Sequence, residues 1–266
     1  MNKISPIMTC LRENEKAVTV KIAYTSYLKK MSKDFCELIL PPRCRVCGRG
    51  DTLVEGMCAN CLADVSYVVS PICTICGRDF PVTEGGDHIC GKCLRQPPPF
   101  FRARAITYYE EPVRSLLHHL KYNFDTTVIQ PLAKIAQNGD ISVFDSCDCV
   151  VPVPLHSKRL QSRGSNQALA LARLLFAHRH GIIVPDSLIK TRNTVSQTEL
   201  DGDGRRRALR GAFAVKNPEN IENMTVCLVD DIYTTGTTVS ECAKVLYKGG
   251  ASSVVVLTFA RVREGR

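Results

Sequence analysis

Two features that would place a protein in or across a membrane are missing from this sequence. No run of 18 uninterrupted apolar residues occurs along its 266 positions, so we expect no membrane-spanning helix. The N-terminus also lacks the charged, apolar and small-residue pattern of a secretory signal. We therefore expect a cytoplasmic protein, in which clustered cysteines are more typical of metal sites than of disulfides.

The net charge of +9 is distributed unevenly along the chain. Residues 1–150 carry 18 basic and 16 acidic side chains, whereas residues 151–266 carry 17 basic and 10 acidic ones. The basic excess therefore belongs to the C-terminal part. Such an excess is typical of proteins that bind nucleic acid, and equally of sites for small anionic ligands.

The residue pattern divides the chain into three parts. Residues 1–35 carry little pattern and are either a disordered tail or, with Met31 as a candidate start, partly a misassigned N-terminus. Residues 36–99 are dominated by cysteine pairs, glycine and proline, and the stiff stretch QPPPF at 96–100 marks their boundary. Residues 100–266 alternate strand-like and helix-like segments, which predicts a mostly parallel sheet with helices on both faces, an α/β fold.

Five segments of the C-terminal part have a clear pattern. Apolar runs at 149–154, 226–229 and 254–259 predict buried strands. Residues 167–180 have the apolar spacing of a helix, with Ser165 or Asn166 as its N-terminal cap. A second helix is predicted over 238–248, where a Gly-Gly pair ends it.

Eight of the 14 cysteines form four CxxC pairs, arranged as two tandem units. A CxxC pair presents two thiolates to one ion, and two pairs complete the tetrahedral coordination of structural zinc. The sequence therefore predicts two closed, structural zinc sites, with pairing inside each unit favoured over crossed pairing. Redox dithiols and disulfides are the alternatives. The predicted ligands are Cys44, Cys47, Cys58, Cys61, Cys73, Cys76, Cys90 and Cys93.

Three further positions of the cysteine-rich part bear on these sites. Gly48 and Gly77 each follow the first CxxC pair of a unit, where a metal-binding knuckle often needs a positive φ. His88 lies two residues before Cys90 and could replace a cysteine ligand. Because four cysteines are already available in that unit, we interpret His88 as a surface residue.

The segment VCLVDDIYTTGTT, residues 226–238, combines an apolar strand, two acids and a threonine-rich turn before a helix. Such a turn places amide N–H groups and hydroxyls at a helix N-terminus, where anions bind. It lacks the GK[ST] ending of a Walker A loop. Asp230 and Asp231 suit hydroxyl groups or hydrated Mg²⁺ rather than phosphate. A ligand with a phosphate and a vicinal diol, such as ribose 5-phosphate, matches both halves of the segment.

This segment resembles the signature of type I phosphoribosyltransferases, which bind 5-phosphoribosyl 1-pyrophosphate (PRPP) together with Mg²⁺. The resemblance implies that Asp230 and Asp231 contact the ribose hydroxyls. It also implies a phosphate-binding turn, whose residues here are Thr234, Thr235, Gly236, Thr237 and Thr238.

Four CxxC pairs ahead of such a segment resemble the ComF family, which includes the GntX-like proteins linked to DNA uptake and utilisation. The resemblance covers roughly residues 36–263, and implies a double zinc ribbon domain followed by a type I phosphoribosyltransferase domain. Two positions depart from the family pattern, since Ser165 replaces a phenylalanine and Ala208 an asparagine. The matching motifs are PPxCxxCG at 41–48, LKY at 120–122, VPVPL at 151–155 with Arg159, RG at 163–164 and NQ at 166–167, and TR at 191–192 through GAF at 211–213.

The chemistry implied by the resemblance explains the basic residues. Breaking the ribosyl C1–O bond leaves pyrophosphate, whose charge Mg²⁺ and positioned cations stabilise. His118 and His119 are candidates for a catalytic base, and the polar stretch 192–212 is either a lid or an ordinary surface loop. The candidate cations, each alternatively a solvated surface charge, are Lys121, Arg159, Arg163 and Arg205.

Three functions remain open at this point. The one we favour is an enzyme that uses PRPP and Mg²⁺ to ribosylate an unknown nucleophile. The second is a sensor that binds PRPP or another ribose phosphate without turnover. The third is a nucleic-acid adaptor, in which the zinc ribbons and the basic run 205–207 hold single-stranded DNA for a DNA-uptake helicase that the family implies. The low charge of the zinc part, and its lack of alternating aromatic and basic residues, argue against direct DNA contact there.

Overall fold

The fold is described from a computed structural model that covers residues 43–50, 53–81, 85–122, 125–193 and 202–263. The predicted tail, residues 1–35, lies outside these ranges, as do residues 194–201 of the predicted lid. Within the described ranges, none of the helices has both the length and the apolar character needed to cross a membrane.

The cysteine-rich part consists of short elements. β1 (Leu53–Val54) pairs antiparallel with β2 (Met57–Cys58), and α1 (Ala59–Ala63) and α2 (Gly91–Arg95) each follow a cysteine. Few apolar side chains support the second unit, whose buried cluster consists of the four cysteines, with Ile75 and Phe80 packed against it. In the first unit, Met57 and Val65 join the larger core that α3 and α4 share with the sheet. Elements this small depend on a metal ion for much of their stability.

The rest of the chain alternates strands with helices, as the sequence predicts, and short 3₁₀ turns connect several of them. In chain order the elements are β3 (Arg102–Tyr108), α3 (Val113–Tyr122), α4 (Ile129–Gln137), β4 (Cys149–Pro152), α5 (Ser157–Arg163), α6 (Gln167–Leu175), β5 (Leu188–Lys190), α7 (Gly202–Leu209), β6 (Phe213–Val215), β7 (Thr225–Tyr233), α8 (Thr237–Lys248) and β8 (Ser253–Arg261).

Four of these strands form an entirely parallel sheet in the order β3-β8-β7-β4. Successive side chains of β7 point to opposite faces of the sheet. Cys227 and Val229 join a core with α3 and α4, whereas Val226 and Leu228 join a core with α8. The predicted parallel sheet with helices on both faces, preceded by a four-cysteine domain, is therefore confirmed.

The predicted strand 226–229 is too short, and the strand does not end at the two acids. β7 continues through Asp230 and Asp231 to Tyr233, and stays in register with β8 up to the pair Tyr233 and Arg261. The reason is that Tyr233 returns to the core, where it is only 8% exposed. β8 likewise extends past the predicted Phe259 to the buried Arg261.

The prediction of one helix over 167–180 is wrong beyond Leu175. α6 ends there, and a 3₁₀ segment, Ala177–Ile182, follows with non-helical backbone angles at Arg179. Phe176 is buried, whereas the histidine- and arginine-rich residues after it leave no apolar stripe to continue a packed helix. The stretch 192–212, predicted to be a lid or a surface loop, is also partly helical, because it contains α7.

The second cysteine unit packs directly against the sheet. The amide of Ala103 in β3 donates a hydrogen bond to the carbonyl of Ile75 at 2.7 Å. Arg263, just after β8, forms ion pairs with Asp79 at 3.2 Å and with Glu110 at 3.1 Å. The cysteine-rich part and the sheet thus share an interface that extends from Ala103, near the start of β3, to Arg263, just after β8.

Candidate functional site

A cavity of about 260 Å³ opens at the carboxyl edge of the parallel sheet. Ligands of open α/β sheets bind at this edge, because the loops that follow parallel strands meet there. Segments after β4 and β7 line the cavity, together with residues of α3, β5 and β6. The cavity brings together nine of the site residues predicted from the sequence: Lys121, Arg159, Arg163, Asp230, Asp231, Thr234, Gly236, Thr237 and Thr238.

Two predicted site residues are not among those that line this cavity. Thr235 is exposed, its hydroxyl lies 2.7 Å from that of Thr237, and its side chain borders a second cavity nearer the cysteines. Arg205 lies within α7, and its side chain is outside the described part of the structure. The candidate bases His118 and His119 lie on α3 but do not line the cavity either.

The turn after β7 is held in one conformation by Gly236 and Tyr233. Gly236 has a φ of 76°, in the left-handed region, and is the N-cap of α8. A Cβ atom at this position would collide with the Tyr233 ring, lying only 2.7 Å from its Cζ atom. Only glycine fits such a position. The amide groups of the first turn of α8 have no intrahelical acceptors, and this is the arrangement that binds phosphate.

The two aspartates form the acidic wall of the cavity. Each carboxylate accepts a hydrogen bond from the following amide, Asp230 from Asp231 at 2.9 Å and Asp231 from Ile232 at 2.7 Å. Burial raises the pKa of Asp230 well above its ordinary value, and the neighbouring Asp231 raises it further, whereas Lys121 lowers it. A cation or a hydroxyl-bearing ligand beside Asp230 would favour its ionised form.

Arg159 and Arg163 reach the cavity from α5, a short helix with well-defined ends. His156 caps its start, accepting a hydrogen bond from the Lys158 amide at 3.3 Å, and Gly164 ends it with a φ of 66°. The next helix, α6, has Asn166 as its N-cap, which confirms one of the two predicted caps.

Asn166 also fixes the loop that carries these arginines. Its side-chain nitrogen donates a hydrogen bond to the Val153 carbonyl at 3.1 Å, and its side-chain oxygen accepts one from the Ala168 backbone amide at 3.0 Å. The NQ motif therefore ties the VPVPL loop to α6, and so sets where α5 lies against the cavity.

Sequence reasoning missed Lys190, the basic residue that β5 contributes to the cavity. Its Nζ atom lies 5.5 Å from the Phe213 ring centroid. Burial lowers its pKa, Arg159 lowers it further, and Asp230 raises it, so these three charged groups face the same space. Lys190 belongs to no motif, and β5 is only three residues long, so the sequence around it gave little indication of a role. The pairing of β5 with β6 brings Lys190 to the site.

The eight predicted cysteine ligands form two compact clusters. Within each cluster, all four sulfur atoms lie within 4.8 Å of one another. The Cys47 and Cys58 sulfurs are 3.7 Å apart, and those of Cys76 and Cys90 are 3.8 Å apart. Four sulfurs around zinc at a bond length of about 2.3 Å are separated by about 3.8 Å, so both clusters fit the ion. Pairing within each unit is confirmed.

The two units repeat the same knuckle. The amides of Gly48 and Gly77 each donate to the carbonyl four residues back, Cys44 and Cys73 respectively, both at 2.9 Å. Both glycines have positive φ, 73° and 68°, as predicted. Burial opposes ionisation of the Cys44 and Cys73 thiols, but backbone hydrogen bonds outweigh it and lower the pKa of each to about 6. The knuckle thus favours the thiolate form of its first cysteine, the form that zinc binds.

His88 is a surface residue, as predicted, and not a ligand. Its side chain is exposed and stacks on Phe80, with ring centroids 3.8 Å apart. Its Nδ1 atom lies 3.0 Å from the carbonyl oxygen of Gly86.

Replacing the two knuckle glycines by alanine is expected to give unequal losses of stability. Both changes strain a positive φ, but a Cβ on Gly48 meets open space, whereas one on Gly77 lies 2.7 Å from the Ala103 carbonyl oxygen. We expect Gly77→Ala to cost about 1–3 kcal/mol more, as overpacking does. Thermal melts of the two zinc-loaded variants measure the difference, and equal melting temperatures would contradict it.

Comparisons with known proteins agree with this architecture. Residues 35–94 match the family model described as a double zinc ribbon domain. The chain is 32% identical to the DNA utilization protein YhgH of Salmonella typhimurium, over 82% of this chain and 89% of that protein. It is 30% identical to competence protein F of Haemophilus influenzae, over 65% of this chain and 78% of that protein.

A solved structure of the allosteric regulatory enzyme of purine biosynthesis matches 48% of this chain and 24% of its own, with 24% identity and a TM-score of 0.29. A likeness this partial carries no structural argument. The relatives found by sequence match far more of the chain than this solved structure does, because their similarity extends over both the cysteine clusters and the sheet that follows them. Identity of this extent reflects common descent, and the chain belongs to the ComF family.

Proposed function

We propose that this protein is a cytoplasmic phosphoribosyltransferase that binds PRPP with Mg²⁺ in the cavity at the carboxyl edge of the sheet. One observation carries the proposal: residues predicted from separate motifs, Lys121, the two arginines of α5 and most of the 230–238 segment, line a single cavity. A pair of acids, a glycine-threonine turn and several cations in one cavity match the hydroxyls, 5-phosphate and pyrophosphate of PRPP.

Each part of the cavity has a separate role in the proposed reaction. The turn around Gly236 binds the 5-phosphate, and the two aspartates bind the ribose hydroxyls. Lys121, Arg159 and Arg163 hold the pyrophosphate and stabilise the charge that develops on it as the C1–O bond breaks. Mg²⁺ bound with PRPP would add positive charge to this leaving group. Lys190, which faces Arg159 across the cavity, belongs to the same cationic group.

The eight cysteines would hold two zinc ions as closed structural sites in a domain that we place at residues 36–99, ahead of the transferase domain at 100–266. The names of the relatives, a DNA utilization protein and a competence protein, lead us to propose that the activity serves the uptake or use of external DNA. A DNA-uptake helicase and single-stranded DNA are the partners we propose on the same basis.

Calorimetric titration of Mg²⁺ and PRPP tests this proposal. We expect the Asp230→Asn/Asp231→Asn variant to bind at least tenfold more weakly than the wild type, because both ribose-binding carboxylates are lost. The Asp64→Asn/Asp186→Asn variant removes the same charge from exposed positions outside the cavity and should bind like the wild type. Pyrophosphate release is followed in the same samples.

The outcomes separate the candidate functions. Binding with slow pyrophosphate release favours a transferase and justifies a screen for its acceptor. Binding without release favours the sensor, or an enzyme that needs its acceptor before the C1–O bond breaks. A wild-type protein that does not bind PRPP would overturn the proposal, and the nucleic-acid adaptor would then be the leading alternative.

A further inference from the structure

Arg261, the last residue of β8, is a charged residue inside the protein core. It is only 1% exposed, and no carboxylate pairs with it among the residues the structure describes. One guanidinium nitrogen donates to the Cys76 carbonyl at 3.0 Å, and its Nε is buried without a hydrogen-bond partner. Burying a cation in this way is unfavourable unless an opposite charge is nearby.

With zinc bound, the second cysteine cluster would supply that charge. Four thiolates around one zinc ion carry a formal charge of about −2. Arg104 also faces this cluster, donating to the Thr74 carbonyl at 3.2 Å and lying 3.4 Å from the Cys73 carbonyl. Two arginines of the sheet, Arg104 and Arg261, therefore contact the backbone of the second cluster.

Of these two arginines, only Arg261 also contacts the turn after β7, residues 233–238, which we call the phosphate turn. Its guanidinium carbon lies 5.4 Å from the centroid of the Tyr233 ring, and the two residues are backbone neighbours in the sheet. The Tyr233 ring in turn fills the space beside Gly236 that a Cβ atom would need. A continuous chain of contacts thus runs from the Cys76 carbonyl through Arg261 and Tyr233 to Gly236.

The first cluster has no such connection among the described residues. A Cβ on its knuckle glycine, Gly48, would meet open space, and a Cβ on its Gly56 would lie 3.5 Å from Pro131 of α4. By contrast, a Cβ on Gly77 in the second knuckle would lie 3.3 Å from the Arg261 guanidinium. The cavity that Thr235 borders is lined by Cys76, Cys93 and Arg261 as well, so the second cluster and the turn share one space.

We propose that Arg261 is a positioning residue that couples the second four-cysteine cluster to the phosphate turn. By holding the Tyr233 ring against Gly236, it orders residues 233–238. Zinc in the second cluster, rather than in the first, then sets the affinity of the turn for a phosphate-bearing ligand. The ligand part of this inference rests on the proposed function, whereas the ordering of the turn does not.

Hydrogen–deuterium exchange of the amides of residues 233–238, on zinc-loaded full-length protein, tests the coupling directly. We expect Arg261→Met to exchange at least tenfold faster there while it retains two zinc ions per chain. Arg104→Met is the matched control, because it removes a contact with the same cluster that does not reach Tyr233, and its exchange at 233–238 should equal that of the wild type. Arg261→Lys restores the charge and should recover part of the protection.

Calorimetry with Mg²⁺ and PRPP gives the second readout, in which Arg261→Met is expected to bind at least fivefold more weakly and Arg104→Met equally well. Unchanged exchange at 233–238 in Arg261→Met, or equal acceleration in Arg104→Met, would overturn the coupling. If Arg261→Met does not fold, Gly77→Ala and Gly48→Ala provide the same comparison, with faster exchange expected for Gly77→Ala alone. A wild type that fails to bind PRPP, with faster exchange in Arg261→Met, would overturn the proposed function and support the coupling.

Discussion

Zinc removal is expected to unfold the cysteine-rich domain. The second unit has four cysteines as its buried cluster, with Ile75 and Phe80 packed against it, and its helix α2 has only five residues. Structural zinc supplies free energy on the order of 10 kcal/mol per site, more than a packed surface of this size can provide. A strong chelator should therefore raise the sensitivity of residues 43–95 to proteolysis, and zinc should restore their resistance.

Single-ligand variants assign this effect to each site. Cys73→Ser and Cys44→Ser should each reduce the bound zinc from two ions to one, as measured by atomic absorption. The two variants are matched, since both residues begin a knuckle with the same backbone hydrogen bonds. We expect Cys44→Ser to lower the melting temperature more, because the buried residues of the first unit belong to the core that α3 and α4 share with the sheet, whereas those of the second unit form a separate small cluster. Two zinc ions retained in either variant would contradict the predicted ligands.

The cysteine ligands could be predicted from the sequence because zinc coordination is local. Each CxxC pair is built by four consecutive residues, and the positive φ of Gly48 and Gly77 follows from the knuckle itself. The turn at Gly236 was predictable for the same reason. Lys190 was not, because its place in the cavity depends on the pairing of β5 with β6, two short strands separated by more than twenty residues.

Arg261 illustrates a different limit of sequence reasoning. An arginine after an apolar run is a normal sign that a buried strand has ended, and the predicted strand stopped at Phe259, two residues before Arg261. The structure buries Arg261 because the second cysteine unit covers the end of β8 and offers the Cys76 carbonyl as an acceptor. Burial of a charge by another domain leaves no periodic signal in the sequence of the strand.

Gly236→Ala is expected to weaken PRPP binding about a hundredfold. At a φ of 76°, an alanine costs about 1–2 kcal/mol, and its Cβ would lie 3.3 Å from Cε2 of Tyr233 and closer still to Cζ. Moving the Tyr233 ring out of its packed position would cost a further amount of about 1–3 kcal/mol. We therefore expect the turn, rather than the ring, to move. A shifted turn no longer presents the first amides of α8 to a 5-phosphate, and a loss of about 2.7 kcal/mol corresponds to a hundredfold change.

The matched control is Gly181→Ala, since a Cβ on Gly181 meets no atom within 4 Å and the residue lies far along the chain from the turn. Both variants should retain two zinc ions, so that a difference in calorimetric affinity reports on the turn and not on the fold. Tyr233→Leu in the Gly236→Ala background frees space beside residue 236 but leaves the φ strain, so it should restore only part of the affinity. Wild-type affinity in Gly236→Ala would mean that phosphate does not bind at this turn. The cations around Arg159 would then be the remaining candidate phosphate site in the cavity.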